Sequence, residues 1–186
     1  MQICNNPFCN ALNTDLRSVL CSHKLKLKLN IKTEYLFDFN DNNILLINTG
    51  RILTVRRRAS GQGKGMELLG PGSILGITGL FTEKNYNLSL IPIEKTECCS
   101  FSKTFFLDLC KNNPEFSFLI LQQSIKRFNS LIQDSEHISL DNSQEKINYI
   151  LNKNIKDLTH EEIALLAGVH RVTVSNILSH KTKKIY

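Results

Sequence analysis

The sequence predicts an α+β protein in three parts: a unit of short strands at 1–101, a long-helix region at 102–139 and a small helical unit at 140–186. Three observations predict it. Between Leu25 and Phe101 short apolar runs recur with turn residues between them and no long helical period, the pattern of a closed or double-sheet all-β unit. From Phe118 apolar residues fall at alternating three-and-four spacing over about four turns, a coiled-coil seam. From Leu158 to His180, LTHEEIALLAGVHRVTVSNILSH holds two helical patterns that meet at a glycine and reads as a helix-turn-helix.

In order, a short helical pattern at Ala11 to Leu20 precedes LKLKLNI, where Leu25, Leu27, Leu29 and Ile31 alternate with lysine or asparagine. That alternation predicts a strand with one buried face and a wet lysine side. After Asn40 to Asn43, ILLINTGRILTVRRR reads as two strands broken at Asn48-Thr49-Gly50, and SGQGKG as a hairpin tip before the strand MELL. The glycines of that tip are explained by the hairpin, since no helix opening with GK[ST] follows to make a phosphate loop. In LGPGSILGITGLF, Pro71-Gly72 turns the chain and Gly76 allows a close backbone approach. Further strands are expected at Leu88 to Ile93 and Glu97 to Phe101.

KTFFLDLCKNN predicts a short helix that ends before Pro114, and Pro114 suits the first position of the next. The seam is Phe118, Leu121, Ile125, Phe128 and Ile132, with Phe116, Leu119 and Ile120 on an adjoining side. Two apolar faces on one helix predict service to its own β unit and to a second copy, a symmetric dimer. Asp141-Asn142-Ser143 is a polar break and N-cap before Ile147, Ile150 and Leu151. Thr159 then caps a helix bearing Glu161 and Glu162 in its first turn, and Gly168 supplies a turn residue tolerant of positive φ. The second helix starts at His170 or Arg171, and from Val169 to Tyr186 the sequence carries no acidic residue. Such a pair of helices places its second member in the major groove of DNA, so double-stranded DNA is the expected partner.

The 23 Lys and Arg against 17 Asp and Glu give a net charge of +6, in keeping with an anionic partner. No apolar run has the length of a membrane span, and no signal or transit pattern is expected at the start. The six cysteines, Cys4, Cys9, Cys21, Cys98, Cys99 and Cys110, include no CxxC pair and read as reduced, mostly buried thiols. The alternative is a cluster held by convergence of residues such as Cys4, Cys9, Cys21 and Cys99. No enzyme is expected: the five histidines are scattered, no nucleophile has a base and an orienting group at recognisable spacing, and neither catalytic nor metal residues are assigned.

A β-roll, one seam helix and a helix-turn-helix, in that order, resembles the Crp/Fnr family of transcription regulators. INTGRILTVRR, GPGSILGITGLF, NNPEF and LTHEEIALLAGVHRVTVSNIL carry the resemblance over residues 36 to 180. GSILGITGLF, IPIE, FLILQQSIKR and RVTVSNIL look most like the global nitrogen regulators of cyanobacteria and algal plastids, and the Asn- and Lys-rich usage suits an AT-rich plastid genome. The resemblance implies a jelly roll of the cyclic-nucleotide-binding type and a homodimeric DNA-binding regulator, an activator of nitrogen-responsive genes that contacts RNA polymerase in a plastid or bacterial cytoplasm, with no membrane partner. It leaves two alternatives: a redox or iron–sulfur sensor of the same family, or a β-roll interaction module with degenerate DNA binding.

Carried over by residue, Arg171 matches a recognition-helix arginine whose fork suits guanine O6 and N7. Val172 faces thymine methyls, Thr173 and Ser175 bond base edges or phosphate, and His170, Thr159 and Lys181 complete the DNA-binding set. Asn176 stands where the family has a second arginine. The implied effector residues are Gly76, Ile77, Thr78, Lys84 and Arg127, and the implied effector is 2-oxoglutarate. Cyclic AMP is not expected: Ile77 replaces the acidic residue that follows the pocket glycine, and TEKNYNLSL holds no arginine for the phosphate. The segment after the recognition helix, HKTKKIY, is expected to lack the family's β-hairpin wing.

Overall fold

The computed structural model describes residues 6–38, 43–57, 61–82, 87–139, 142–153 and 158–182. The chain divides into two compact units, one of residues 1–54 and 68–126, the other of residues 55–67 and 127–186. Three elements run from one unit into the other: strands β4 (Ile52–Arg57) and β5 (Gly63–Leu69) and helix α5 (Pro114–Ile138).

The first unit opens with α1 (Pro7–Asn10) and α2 (Thr14–His23), followed by β1 (Leu25–Leu29), β2 (Tyr35–Asp38) and β3 (Asn43–Thr49). Beyond β5 come β6 (Ile74–Leu75), α3 (Thr78–Phe81), β7 (Asn87–Pro92), β8 (Thr96–Ser102) and α4 (Lys103–Asn112). The strands form two four-stranded sheets, in the orders β1-β8-β3-β6 and β2-β7-β4-β5. β3 lies antiparallel to β8, with Leu45 opposite Ser100 and Ile47 opposite Cys98, before a bulge at Ile47 to Thr49.

Strand β3 shows why ILLI reads as a continuous apolar run. Ile44 and Leu46 join a core with Phe8, Leu16, Leu20, Phe101, Phe106 and Phe116, whereas Leu45 and Ile47 join Phe37, Ile52, Leu69, Leu75 and Leu90 between the sheets. Successive side chains of a strand point to opposite faces, so a strand buried on both sides loses its alternation. The first core is organised by aromatic contacts, Phe116 meeting Phe106 at 5.1 Å and Phe8 at 6.0 Å, both edge-on. Asn6 seats α1: its side chain accepts from Phe8 N and donates to Ile47 O at 2.7 Å, which satisfies a fully buried amide.

Strand β1 departs from the expectation of one buried face. Leu25 and Leu27 of this edge strand are exposed along with the lysines, and of the β1 leucines it is Leu29 that packs against the core between the sheets. The helix α1 and the single turn α3 went unread in the sequence, whereas α2 begins three residues beyond the start of the Ala11 to Leu20 pattern. Helix α5 has the two faces its sequence foretells: Phe116, Leu119 and Ile120 are buried, and Phe118, Leu121, Ile125, Phe128 and Ile132 are exposed. Among the described residues, no helix is long and apolar enough to cross a membrane.

The second unit contains α6 (Ser143–Asn152), α7 (His160–Ala167) and α8 (Arg171–Thr182), which pack on one another, together with the end of α5 and the portions of β4 and β5 at residues 55–57 and 63–67.

Candidate nucleic-acid interface

Local chemistry fixes the pair α7 and α8. Thr159 Oγ1 accepts from Glu162 N, and Glu162 carboxylate accepts from Thr159 N at 2.7 Å, a complete capping box. The helix ends at Gly168, whose φ of 65° and ψ of 35° lie in the left-handed region, and whose N–H donates to Ala164 O. Ile163, Ala164, Leu166 and Ala167 of α7, Val174 of α8, and Ile147 and Ile150 of α6 are buried.

Burial of Val174 turns the other side of α8 outward. His170, Arg171, Val172 and Asn176 are exposed, Val172 by 68%, and Thr173 is half-buried. A large aliphatic side chain that open to water, beside a guanidinium and an amide, is chemistry suited to base edges and thymine methyls. Ser175 is half-buried, and its hydroxyl lies 2.9 Å from His160 Nδ1, so it ties the start of α7 to α8. The Thr159 hydroxyl is engaged as an acceptor and retains its proton to donate. Lys181 falls within α8, but its side chain lies outside the described residues.

Of the effector residues from the resemblance, Gly76, Ile77 and Thr78 belong to the first unit and Arg127 to the second. Gly76 has a φ of 95°, and a Cβ there would stand 2.9 Å from Asn43 O. A backbone contact within the β unit therefore accounts for this glycine. Ile77 packs against the aromatic core, and Thr78 is exposed at the first turn of α3. Lys84 lies outside the described residues. Arg127 belongs to the second unit, where Glu67 holds it: Nε donates to the two carboxylate oxygens at 2.9 and 3.0 Å, and Nη2 to Oε2 at 2.5 Å.

Two polar groupings of the second unit escaped the sequence reading. Glu67 reads as a surface residue of a strand, yet it is buried; the signal is its position four residues after Gly63 and two after Gly65, on their face of β5. At the junction of α5 and α6, Tyr149 OH donates to Asp134 at 2.7 Å, Lys153 also pairs with Asp134, and the His137 ring stacks on Tyr149 at 4.0 Å. Burial, and then the Asp134 carboxylate, push the Tyr149 phenol up to about 12. Among the described residues no group of His, Cys, Asp and Glu could hold a metal ion. Cys9 and Cys99 share the aromatic core, Cys21 and Cys110 are half-buried, and Cys4 lies outside the described residues.

Residues 32–113 match the cyclic nucleotide-binding domain. The cyclic AMP receptor protein of Thermus thermophilus is 25% identical over 142 residues, covering 73% of this chain and 66% of that protein, just under two thirds of its length. Among solved structures, the c-di-GMP-responsive global regulator CLP of Xanthomonas campestris superposes with a TM-score of 0.77 at 15% identity, over 91% of each chain. A protein of Eubacterium rectale described as a transcriptional regulator of the Crp/Fnr family has a TM-score of 0.77 at 16% identity, over 96% of this chain and 87% of that one.

Proposed function

We propose that this chain belongs to the Crp/Fnr family, which its match to a cyclic nucleotide-binding domain and its likeness to solved regulators support, and that it is a homodimeric, sequence-specific DNA-binding transcription regulator. The observation that carries the reading is the outward face of α8. Arg171, Val172 and Asn176 stand exposed on a helix whose buried Val174 fixes its rotation and whose start is set by the left-handed Gly168. Ser175, bonded to His160, braces the helix as well as facing the backbone of DNA. The exposed seam of α5 supports dimerisation, so that two copies of α8 read half-sites about one helical turn apart. RNA polymerase at promoters is the partner this function implies.

The finer identity also belongs to this proposal. RVTVSNIL and GSILGITGLF support nitrogen-responsive promoters as targets, in a plastid or a bacterial cytoplasm. The cyclic nucleotide does not fit: from Gly72 to Pro92 the sequence offers a phosphate only Lys84, and the Arg127 guanidinium already serves Glu67. Fluorescence anisotropy of labelled promoter duplexes against random duplex, at two salt concentrations, tests the reading. A preferred duplex is expected, and Arg171→Ala is expected to cost about 1–3 kcal/mol at one base position. Equal affinity for random duplex refutes the function.

A further inference from the structure

The two helices of the reader pair share one polar bond at their surface. His160 is the first residue of α7, and its Nδ1 lies 2.9 Å from the hydroxyl of Ser175 on α8. The ring is exposed and the serine half-buried. Ser175 is one turn beyond the exposed Arg171 on the same side of α8, so the bond borders the outward face. A serine hydroxyl has one proton and two lone pairs, and an imidazole nitrogen donates or accepts according to its protonation. The direction of the bond therefore decides what Ser175 keeps for a second partner. Where Nδ1 accepts, the serine proton is used and the oxygen is left an acceptor only. Where Nδ1 donates, as it must in a charged ring, the serine proton is free. A phosphate oxygen offers only lone pairs and requires the second arrangement.

We propose that His160 is a positioning residue for DNA, which sets the polarity of the Ser175 hydroxyl and so couples its contact with a DNA phosphate to a proton on the ring. The inference rests on the DNA-reading function proposed above and adds its dependence on pH. Charged His160 donates Nδ1–H to Ser175, and Ser175 turns its own O–H to the phosphate; a ring whose Nδ1 accepts withholds that donor. Imidazole is the side chain that ordinarily changes charge between about pH 5 and 8. The other charged and titratable groups of the two helices are Glu161, Glu162, which is bound to Thr159 N, and His170, Arg171 and His180. Of the elements packed on α7, α6 brings Glu145, Lys146, Tyr149 with His137 stacked on it, and Lys153; β5 brings Lys64 and Glu67, the latter bound to Arg127. All of these accompany His160 in the free protein as in the complex. The phosphate is the anion that binding adds. An anion beside an imidazole favours its charged form, so the complex takes up a proton here and binding tightens as pH falls.

The test uses the full chain and its preferred promoter duplex, with affinity measured at fixed salt from about pH 8 down to about pH 5.5. Wild-type binding is expected to tighten over this range. His160→Gln and Ser175→Ala are each expected to lose about three- to tenfold of that tightening, and the double variant no more than either. His170 and His180 are common to all four proteins, so the differences between profiles isolate the pair. Ser175→Ala leaves the imidazole in place, and its profile therefore separates control of the hydroxyl from plain attraction between imidazolium and phosphate. The coupling is overturned if either single variant keeps the wild-type profile. It is equally overturned if His160→Gln weakens binding by one factor at every pH, the mark of a bond that only braces the helices. The two readings fail separately. Equal affinity for random duplex overturns the function and this coupling with it, whereas a preferred duplex bound with parallel profiles overturns the coupling alone.

Discussion

Phe116 and Phe118 are two residues apart on α5, about 200° around the helix. Phe116 is fully buried, touching Phe8 and Phe106, and Phe118 is 61% exposed. Replacing each with alanine therefore separates folding from dimerisation. An aromatic side chain carries roughly 150–250 Å², so the exposed part of Phe118 offers on the order of 100–150 Å² for a partner copy to cover. A two-fold interface contains every substitution twice. At about 25 cal/mol per Å², Phe118→Ala removes on the order of 5 kcal/mol from the dimer, a rise in dissociation constant of three to four orders of magnitude. The monomer loses about 0.5 kcal/mol or less, the usual effect of a surface change. Phe116→Ala does the opposite, costing about 3–5 kcal/mol of folding stability. Sedimentation velocity over a concentration series measures the first effect, and thermal unfolding at monomeric concentrations the second. A Phe118→Ala dissociation constant within about threefold of wild type, or a wild-type monomer at the highest soluble concentration, refutes the seam as an interface.

Other outcomes follow from single residues. Cys98 is held neutral, its thiol pushed from 9.0 up to about 12 by burial and then by Cys99. A raised folded-state value contributes stability that is whole below the unfolded value and lost as pH climbs toward the folded one, so stability should fall from about pH 9 to pH 12. Tyr149 falls in the same window, from 10.0 to about 12. Denaturant unfolding across that range checks the sign; a constant midpoint contradicts it. For the same reason Cys98 should resist a maleimide at pH 8 in the native protein and react once unfolded, followed by mass spectrometry. Gly168→Ala meets no atom closer than Ile138 Cγ2 at 4.0 Å, so only its φ of 65° opposes it, and the cost is about 1 kcal/mol. Gly50→Ala places a Cβ 2.4 Å from Lys95 O at a φ of 81° and should cost several times more, read as the ratio of the two shifts in unfolding midpoint.

Legibility followed the range of the forces involved. Thr159, Glu162 and Gly168 interact within one or two turns of chain, so the capping box and the left-handed stop could be read from spacing. The two faces of α5 were legible because helical period records which residues meet an apolar neighbour. Strand β1 misled because alternation reports a difference between faces, not what covers them: Leu25 and Leu27 alternate with lysines and are still exposed. Helix α1 has local signals, Asn6 at its N-cap and Pro7 at its first position, but spans only Pro7–Asn10, too short to show a helical period. Glu67 was missed because its partner Arg127 lies 60 residues along the chain.

The distinction bears on what the match to a cyclic nucleotide-binding domain means. Gly76 is the residue within it most easily assigned to a ligand. Yet a side chain there would strike Asn43 O and Ile44, and its φ of 95° already demands glycine. Leu75, beside it, pairs with Leu45 on β3, and both belong to the core between the sheets. These contacts are requirements of the roll and persist whether or not a ligand is taken. The groups a cyclic nucleotide would need, a cation for phosphate and an acid after the pocket glycine, are under no such requirement, and here Ile77 packs into the core where the acid would stand. A glycine at this position is therefore explained by the roll alone and is no sign of a bound ligand.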